Sequence, residues 1–299
     1  MTEIDLEELK KSKTIRELLE FGIINIDKST GPTSFTVSEF IKRYLGLRKT
    51  SHLGTLDPQV TGVLPVALNR ACKLTGFFLG EDKEYVGIMR MHEEVSIKEI
   101  EKVISEKFLG IIKQLPPVKS RVKREERERE IKTFELLEKS GKDILFKSNV
   151  QGGTYIRKLI HDLGEEMKIG AHMLELRRIR AGIFSEDDKD YPVVSLYDFE
   201  KAVKEFEDGN EKSLRKMIIP GEIISKLYPI VQVDEKEIFR LYTGKPFFDK
   251  ALVNKADLKL ERGEKINVFS GNKFIGVYNV VKEEDLFAKP EFVLQPIKK

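Results

Sequence analysis

The 299-residue sequence predicts an α+β protein built from two folded units. Strand-like and helix-like segments alternate through the first 227 residues, whereas short alternating runs punctuated by glycine dominate from Tyr228 onward. Those later runs, IVQVDE, KALVNK, EKINVFS, KFIGVYNVV and EFVLQPI, are typical of a small all-β module. We therefore expect an N-terminal extension over residues 1–21, a mixed unit over 22–227 and an all-β unit over 228–299.

Composition narrows the class of protein. Hydrophobic residues make up 40% and charged residues 34%, and no run approaches the apolar length of a transmembrane helix. The start, MTEIDLEELKKSKT, is acidic and polar, unlike a secretion signal, so we expect a cytoplasmic protein without a membrane partner. Cys72 is the single cysteine, which excludes an intrachain disulfide framework and a Cys-rich zinc site. A net charge of +3 allows an RNA partner only if the positive charge is clustered.

The first 45 residues predict two helices around one buried strand. Residues 3–20 place leucine and isoleucine at helical spacing among charged residues, as in an amphipathic helix that packs on a surface. Gly22–Asp27 is apolar enough for a buried strand, and Lys28–Ser34 has Gly-Pro at its centre, as in a turn. A threonine or serine at the end of that turn can cap a helix over Phe35–Leu45.

The stretch Thr50–Leu68 is the centre of the predicted site. Gly54 provides a pivot, Asp57 precedes Pro58, and an apolar run follows from Val63. Proline pushes the preceding residue out of the helical region, which holds the carboxylate at one angle on a loop. A carboxylate held in this way suits a nucleophile or general base, although an aspartate before proline is commonly a turn or helix cap.

The next segments predict a helix over Arg70–Leu79, a strand over Lys83–Met91 and an amphipathic helix over Ser96–Phe108. A charged stretch without regular structure is expected over Gly110–Arg129. Between Lys119 and Lys132 seven Lys/Arg stand against four Glu, a local excess equal to that of the whole chain. This excess indicates either an RNA-contacting loop or an ordinary solvated one.

Two strands, Ile131–Ser140 and Asp143–Val150, lead into Gly152-Gly153 and a helix over Tyr155–Met167. The paired glycines let backbone approach a ligand, but the spacing of a nucleotide-binding phosphate loop is missing. Arg157 lies in the first turn of that helix, where a cation opposes the helix dipole. An acidic partner would explain its place, and Asp57 is the candidate.

Further basic residues lie in Gly170–Arg180, followed by an acidic loop and helical stretches over Val194–Phe206 and Leu214–Ile218. His161-Asp162 and His172 offer potential metal ligands, but no third ligand has suitable spacing. We interpret them as ordinary hydrogen-bonding residues and expect no metal.

Six ordered motifs resemble those of the TruB/dyskerin pseudouridine synthases: GIINIDKSTGPTS, HLGTLDPQVTGVLPVAL, KEYVGIMRMH, GIIKQLPPVKSRVKR, GGTYIRKLIHDLG and GAHMLELRRIRAG. The all-β tail is similar to their PUA domain, which binds RNA. Details such as PPVKS lean toward the archaeal dyskerin members, catalytic subunits of H/ACA guide-RNA particles. The resemblance implies a catalytic domain around a mixed, mainly antiparallel sheet, with the active cleft across it.

The same resemblance implies the reaction, conversion of uridine to pseudouridine, and the residues that carry it. Asp57 resembles the essential carboxylate, Arg157 its partner, and Tyr85 the residue that stacks on the base and assists proton removal from C5. The Asp57 carboxylate must be ionised, and we expect it to be buried, where a carboxylate stays ionised only with a partner such as Arg157. No cofactor is implied, because an isomerisation transfers nothing. The residues implied to contact RNA are His52, Lys28, Lys83, Leu176, Lys119, Arg121, Lys123 and Arg124.

Several alternatives stay open at this stage. Lys28 either reaches a phosphate or supports its own loop, and His52 and Leu176 fit structural roles as well as RNA contacts.

The implied substrate is rRNA, directed by an H/ACA guide RNA and assisted by small accessory proteins. A stand-alone tRNA synthase acting on the T-loop uridine is the nearest rival. A non-catalytic RNA scaffold and a metal-dependent ribonuclease are rivals from other classes.

Overall fold

The computed structural model describes residues 4–116, 123, 125–253 and 259–296. Its helices are α1 Leu6–Ser12, α2 Ile15–Glu20, α3 Ser34–Tyr44, α4 Thr75–Leu79, α5 Ile97–Val103, α6 Ile156–Glu166, α7 Leu196–Glu207, α8 Lys212–Met217 and α9 Ile238–Tyr242. Its strands are β1 Gly22–Lys28, β2 Thr50–His52, β3 Thr61–Leu68, β4 Lys83–Met91, β5 Gly110–Gln114, β6 Arg127–Ser140, β7 Asp143–Val150, β8 Ala171–Ala181, β9 Phe184–Ser185, β10 Val194–Ser195, β11 Ile218–Pro220, β12 Ile230–Gln232, β13 Phe247–Phe248, β14 Lys265–Ser270, β15 Lys273–Glu283 and β16 Leu286–Val293.

A large sheet runs in the order β10-β1-β3-β8-β4-β7-β6-β5, with β2, β9 and β11 attached at its sides. The β1–β10 and β3–β8 pairs are parallel, and the other pairs along this path are antiparallel. The prediction of a mixed, mainly antiparallel sheet is therefore confirmed. The parallel β3–β8 contact brings the chain after the Asp57 loop beside β8, and β4 continues the sheet on the other side.

Sequence pattern explains which strands are central. β3 is buried at all but its first residue, as its apolar run predicts, whereas β4 and β7 alternate between buried and less buried positions. The helix α3 begins after the N-cap Thr33, whose hydroxyl accepts from the Thr36 backbone N–H. The helix α6 lays Leu159, Ile160 and Leu163 into the core against the sheet.

Some predicted elements differ in the structure. The single helix predicted over residues 70–79 is a 3-10 turn over Asn69–Leu74 followed by the short α4. The expected loop over 110–129 includes β5 and the first residues of β6, because these residues pair with each other as an antiparallel ribbon. Charged side chains on its exposed face hide the alternation that would reveal a strand.

Residues 230–293 form a second sheet in the order β12-β14-β15-β16-β13. The module also holds α9, which the sequence interpretation did not predict. The KALVNK run is not a full strand: Lys250 and Ala251 end a 3-10 turn, Leu252 forms an isolated bridge with Val233, and residues 254 and 255 lie outside the described residues. Phe269 and Phe274 pack in one apolar cluster with Phe21, and Asn267 Nδ2 donates to the Ile224 and Tyr228 carbonyls at 3.1 and 2.8 Å. The two sheets thus share a packed interface, and the PUA assignment with its boundary near 227 stays a prediction.

The N-terminal helices are part of this packing. Leu6 and Leu9 are buried in the same apolar cluster as Phe21, and Lys13 Nζ lies 2.5 Å from the buried Glu222 carboxylate. The predicted extension over residues 1–21 therefore contributes to the core, beyond the surface packing expected of it.

Candidate active site

The Asp57 loop joins β2 to β3 and is fixed from both sides. The Ser34 hydroxyl accepts from the Leu56 N–H at 2.7 Å and donates to the Leu56 carbonyl at 2.9 Å. The Gly31 N–H donates to the Pro58 carbonyl at 2.9 Å, and the Val60 N–H donates to that of Asp57 at 3.0 Å. The KSTGPTS turn thus forms the support on which the Asp57 loop rests.

Lys28 is part of that support. Its side chain is fully buried, and Nζ donates to the carbonyls of Ser29, Pro58 and Val60 at 2.9, 3.1 and 2.8 Å. Burial lowers the pKa of Lys28, and the nearby Asp57 charge opposes this shift. Because all three donors of the ammonium group have partners, the structure gives Lys28 a structural role in place of the phosphate contact considered for it.

Asp57 and Arg157 form an ion pair across 100 residues of sequence, with Nη2 of Arg157 2.6 Å from Oδ2 of Asp57. The arginine lies in the first turn of α6, where the sequence placed it. The two side chains are 46% and 54% exposed, respectively, so the expectation of a buried carboxylate is wrong. In the free protein water reaches both groups, and the pair gains little from low dielectric.

A cleft of about 510 Å³ opens beside this ion pair. Tyr85 on β4 and Leu176 on β8 lie in its wall, 8% and 7% exposed, and their strands are neighbours in the sheet. The residues lining the cleft are Gly54, Thr55, Leu56, Asp57, Val60, Leu79, Gly80, Lys83, Tyr85, Gly152, Gly153, Thr154, Tyr155, Ile156, Arg157, Lys158, Leu176 and Arg178. A carboxylate, a cation, an aromatic ring and an aliphatic wall therefore surround one space.

Two family models match the chain, and the second begins at Arg157, directly after the first ends. The model of the TruB family pseudouridylate synthase N-terminal domain matches residues 42–156, and that of the tRNA pseudouridylate synthase B C-terminal domain matches 157–225. A probable tRNA pseudouridine synthase B of Methanopyrus kandleri is 40% identical over 261 residues, 87% of this chain and 75% of that relative. The chain belongs to the TruB family of pseudouridylate synthases.

Solved structures agree with this membership. A crystal structure of a Cbf5–Nop10–Gar1 complex matches with a TM-score of 0.86 and 35% identity, over 96% of this chain and 89% of that one. A structure of an H/ACA RNP bound to a substrate RNA containing 2′-deoxyuridine matches with a TM-score of 0.84 and 33% identity, over the same shares. The chain spans 59% to 75% of the length of the first four curated archaeal relatives it matches.

Arg178 is a residue of this TruB-family site that sequence reasoning missed. It is 1% exposed, and its Nε and Nη2 donate to the carbonyls of Val63 and Gly54 at 2.8 and 3.0 Å. Tyr85 is the residue opposite it on β4. Burial lowers the pKa of Arg178. The available signal was its position in β8 two residues after Leu176, on the same face of the strand.

Gly62 explains how Arg178 comes so close to β3. A Cβ on Gly62 would lie 2.1 Å from the Arg178 carbonyl oxygen, and φ there is +102°. Only glycine combines that backbone conformation with such an approach. The small residue after the Asp57 loop therefore lets β8 pass against β3.

Lys83 lies in the cleft wall rather than on a free surface. It is 4% exposed, and Nζ donates to the carbonyls of Phe78 and Glu81 at 3.3 and 2.5 Å. Burial, and then the charge of Arg178, lower the pKa of Lys83 to about 8. A contact of Lys83 with an exposed RNA backbone does not fit this buried position.

His52 lies on β2, half-buried, with Nε2 3.1 Å from the Thr55 hydroxyl. Burial and the charge of Arg178 lower its pKa, which favours the neutral ring at neutral pH. It is not among the lining residues of the cleft, although its partner Thr55 is. A neutral imidazole here would contact RNA by hydrogen bonding rather than by charge.

The other RNA-contacting predictions fall in the basic segment. Lys119, Arg121 and Arg124 lie outside the described residues. Lys123 is exposed and forms an ion pair with Glu125. The role of this segment stays a prediction.

The histidines considered as metal ligands have other partners. His172 Nδ1 is 2.9 Å from His92 Nε2, and His161 Nδ1 is 3.7 Å from Asp162. Within residues 4–116, 123, 125–253 and 259–296, no three His, Cys, Asp or Glu side chains are grouped so as to hold a metal. No helix in the same ranges has the length and apolar character to cross a membrane.

Proposed function

We propose that this protein isomerises uridine to pseudouridine in RNA, with Asp57 as the essential carboxylate. The observation that carries the proposal is the Asp57–Arg157 ion pair of 2.6 Å on the rim of a cleft walled by Tyr85 and Leu176. These residues come from four separate parts of the chain, and they converge on one space. That convergence supports a chemical site in addition to an RNA-binding surface.

The reaction needs few parts, and the cleft offers each of them. The C1′–N1 bond of uridine breaks, the uracil turns, and C5 bonds to C1′; C5 loses a proton and N1 gains one, so the balance is zero. Asp57 either attacks the sugar or takes a proton, and Arg157 orients it. In this proposal the Tyr85 ring stacks on the base and its hydroxyl assists proton removal from C5.

The size and depth of the cleft favour a single everted nucleotide. Its volume of about 510 Å³ lies within the roughly 300–1,000 Å³ of small-ligand pockets. Tyr85 is nearly buried, so a base still stacked in an RNA helix does not reach it. The uridine must leave its stack, at a cost of a few kcal/mol that stacking in the cleft and phosphate contacts offset.

We further propose rRNA as the substrate, directed by an H/ACA guide RNA and assisted by small partner proteins. Support comes from the match along 96% of the chain to Cbf5 in a complex with Nop10 and Gar1, and to an H/ACA RNP bound to a substrate RNA. A guide-independent tRNA synthase is the second candidate, because the archaeal relatives are named tRNA pseudouridine synthase B. Both candidates use the same cleft.

A non-catalytic RNA scaffold is the rival from another class. Such a scaffold has no need for an aspartate held by Lys28 and Ser34 and paired with Arg157 at a cleft. The support beneath Asp57 therefore favours catalysis.

The deciding experiment measures tritium release from RNA labelled at C5 of uridine. Purified protein is given tRNA or rRNA fragments, each with and without guide RNA and accessory proteins. We expect release that depends on the guide with rRNA, and Asp57→Asn should abolish it while leaving RNA affinity within about threefold. Release from tRNA alone would identify the second candidate, and full release by Asp57→Asn would refute the assigned carboxylate.

A further inference from the structure

Two cations are buried behind Tyr85, and we call Lys83 and Arg178 the buried cation pair. They are 4% and 1% exposed and lie on the neighbouring strands β4 and β8. Both lie against Gly54, where an added Cβ would be 3.4 Å from Arg178 Nη1 and 3.7 Å from Lys83 Cε. Both also line the cleft. Two positive charges therefore form one wall of the site.

Within the described residues, neither cation of the pair is held in an ion pair. Their side chains instead donate to backbone carbonyls, Lys83 to those of Phe78 and Glu81 and Arg178 to those of Val63 and Gly54. Asp82, next to Lys83 in sequence, is engaged by Lys132 at 2.5 Å. Glu81 and Asp82 act on the Lys83 charge only from beyond ion-pair distance, so the buried cation pair presents positive charge to the cleft.

Other arginines of α6 and β8 contrast with this pair. Arg157 is paired with Asp57, Arg177 with Asp27 and Glu186, and Arg180 with Glu84. Burying a charge without a counter-ion is costly, and hydrogen bonds to carbonyls offset only part of that cost. Burial lowers the pKa of both members of the pair, which shows that the fold opposes their charge. Charges held against such opposition are typical of functional sites.

The reaction proposed above supplies an anion of the right size. When the C1′–N1 bond breaks, its electron pair leaves with uracil, and the negative charge spreads over N1, O2 and O4. That pair of electrons must stay on the base until C5 bonds to C1′, after which C5 loses its proton and N1 gains one. A low-dielectric wall with fixed positive charge stabilises such a transient anion strongly.

We propose that Lys83 and Arg178 stabilise the uracil anion formed during isomerisation, a role that rests on the proposed function. Arg178 contributes its buried charge from β8, and its hydrogen bond to the Gly54 carbonyl keeps the guanidinium against the Asp57 loop. Lys83 acts through its charge from the adjacent strand. The pair thus lowers the barrier to C1′–N1 cleavage, whether Asp57 attacks the sugar or takes a proton.

The test compares leaving groups. Fluorine at C5 withdraws electrons and makes uracil a more stable anion, so 5-fluorouridine needs less help from the protein. Lys83→Met keeps the length of the side chain and removes its charge. Single-turnover consumption of the N1-linked nucleoside should fall roughly ten- to a hundredfold with uridine RNA and threefold or less with 5-fluorouridine RNA.

A matched control is Lys147→Met, since Lys147 lies on β7 beside β4, is 41% exposed and faces Glu84 at 3.8 Å. We expect it to leave both rates within twofold. Arg178→Met should show the same dependence on the leaving group; if it does not fold, as judged by thermal unfolding, Lys83→Met alone decides.

The proposed role would be overturned if Lys83→Met lost the same factor in single-turnover rate with both nucleosides, or less than threefold with uridine. In that case the wild-type protein would still form pseudouridine, so the proposed function would stand. Absence of product from the wild-type protein with every RNA would instead overturn the proposed function, and this role with it.

Discussion

Replacing Arg157 by methionine separates the contribution of the ion pair to stability from its contribution to catalysis. Both partners of the 2.6 Å pair are about half exposed, so solvent screens it in the free protein. Exposed pairs contribute up to about 1 kcal/mol, and we expect the free energy of unfolding to fall by no more than that. The variant should therefore fold normally.

Catalysis should respond far more, because we expect bound RNA to cover the cleft and to exclude water from the Asp57–Arg157 pair. A desolvated carboxylate without its partner is disfavoured by about 3–5 kcal/mol, which corresponds to a rate loss of roughly 10²- to 10³-fold or more. The expected rate loss therefore comes from desolvation of Asp57 by the bound substrate. It does not come from an unpaired buried charge in the free protein.

The assay combines urea unfolding with single-turnover pseudouridine formation at saturating RNA. Arg90→Met is the matched control, because Arg90 forms an equally short pair of 2.6 Å with Asp143, 48% and 32% exposed, outside the cleft. We expect the same small change in stability and an unchanged rate. An Arg157→Met rate within threefold of wild type, or a stability loss above about 3 kcal/mol, would refute the reasoning.

Three further outcomes are expected. Tyr85→Phe should keep RNA affinity within about threefold, because the ring remains, but slow C5 tritium release roughly 10²-fold if the hydroxyl assists proton removal; an unchanged rate would exclude that assistance. Lys83→Met should flatten the pH dependence of unfolding, because the pKa of Lys83 in the folded protein is about 8, below its ordinary 10.5. The cost of burying the Lys83 charge is present below pH 8 and disappears between pH 8 and 10.5. Urea titrations over that window should show the wild type gaining about 3 kcal/mol of stability relative to the variant. Lys28→Met should lose about 2–4 kcal/mol of stability, since three backbone carbonyls, that of Val60 buried, lose their donor. Calorimetry showing a loss under about 1 kcal/mol would contradict the structural role.

The residues of the site differ in how far local sequence defines them. Asp57 is recognisable because proline and glycine fix its loop by their own backbone restrictions, and Arg157 because a cation in a first helical turn calls for an acid. These are local effects, so a few neighbouring residues are enough to predict them. The strand pattern of β3 and β4 and the mixed, mainly antiparallel sheet follow from alternation, together with the family resemblance.

Tertiary structure alone decided what the lysines and arginines do. Lys28, Lys83 and Arg178 look in sequence like basic residues available to RNA, yet each is buried and bonded to carbonyls. Their burial depends on the register of β4 and β8 and on Gly62, which lets β3 pass against β8. The sequence by itself determined Asp57 and its partner Arg157, because backbone restriction is local. Strand pairing decided which cations are exposed to solvent and which form the wall of the cleft, because burial depends on neighbours distant in the chain.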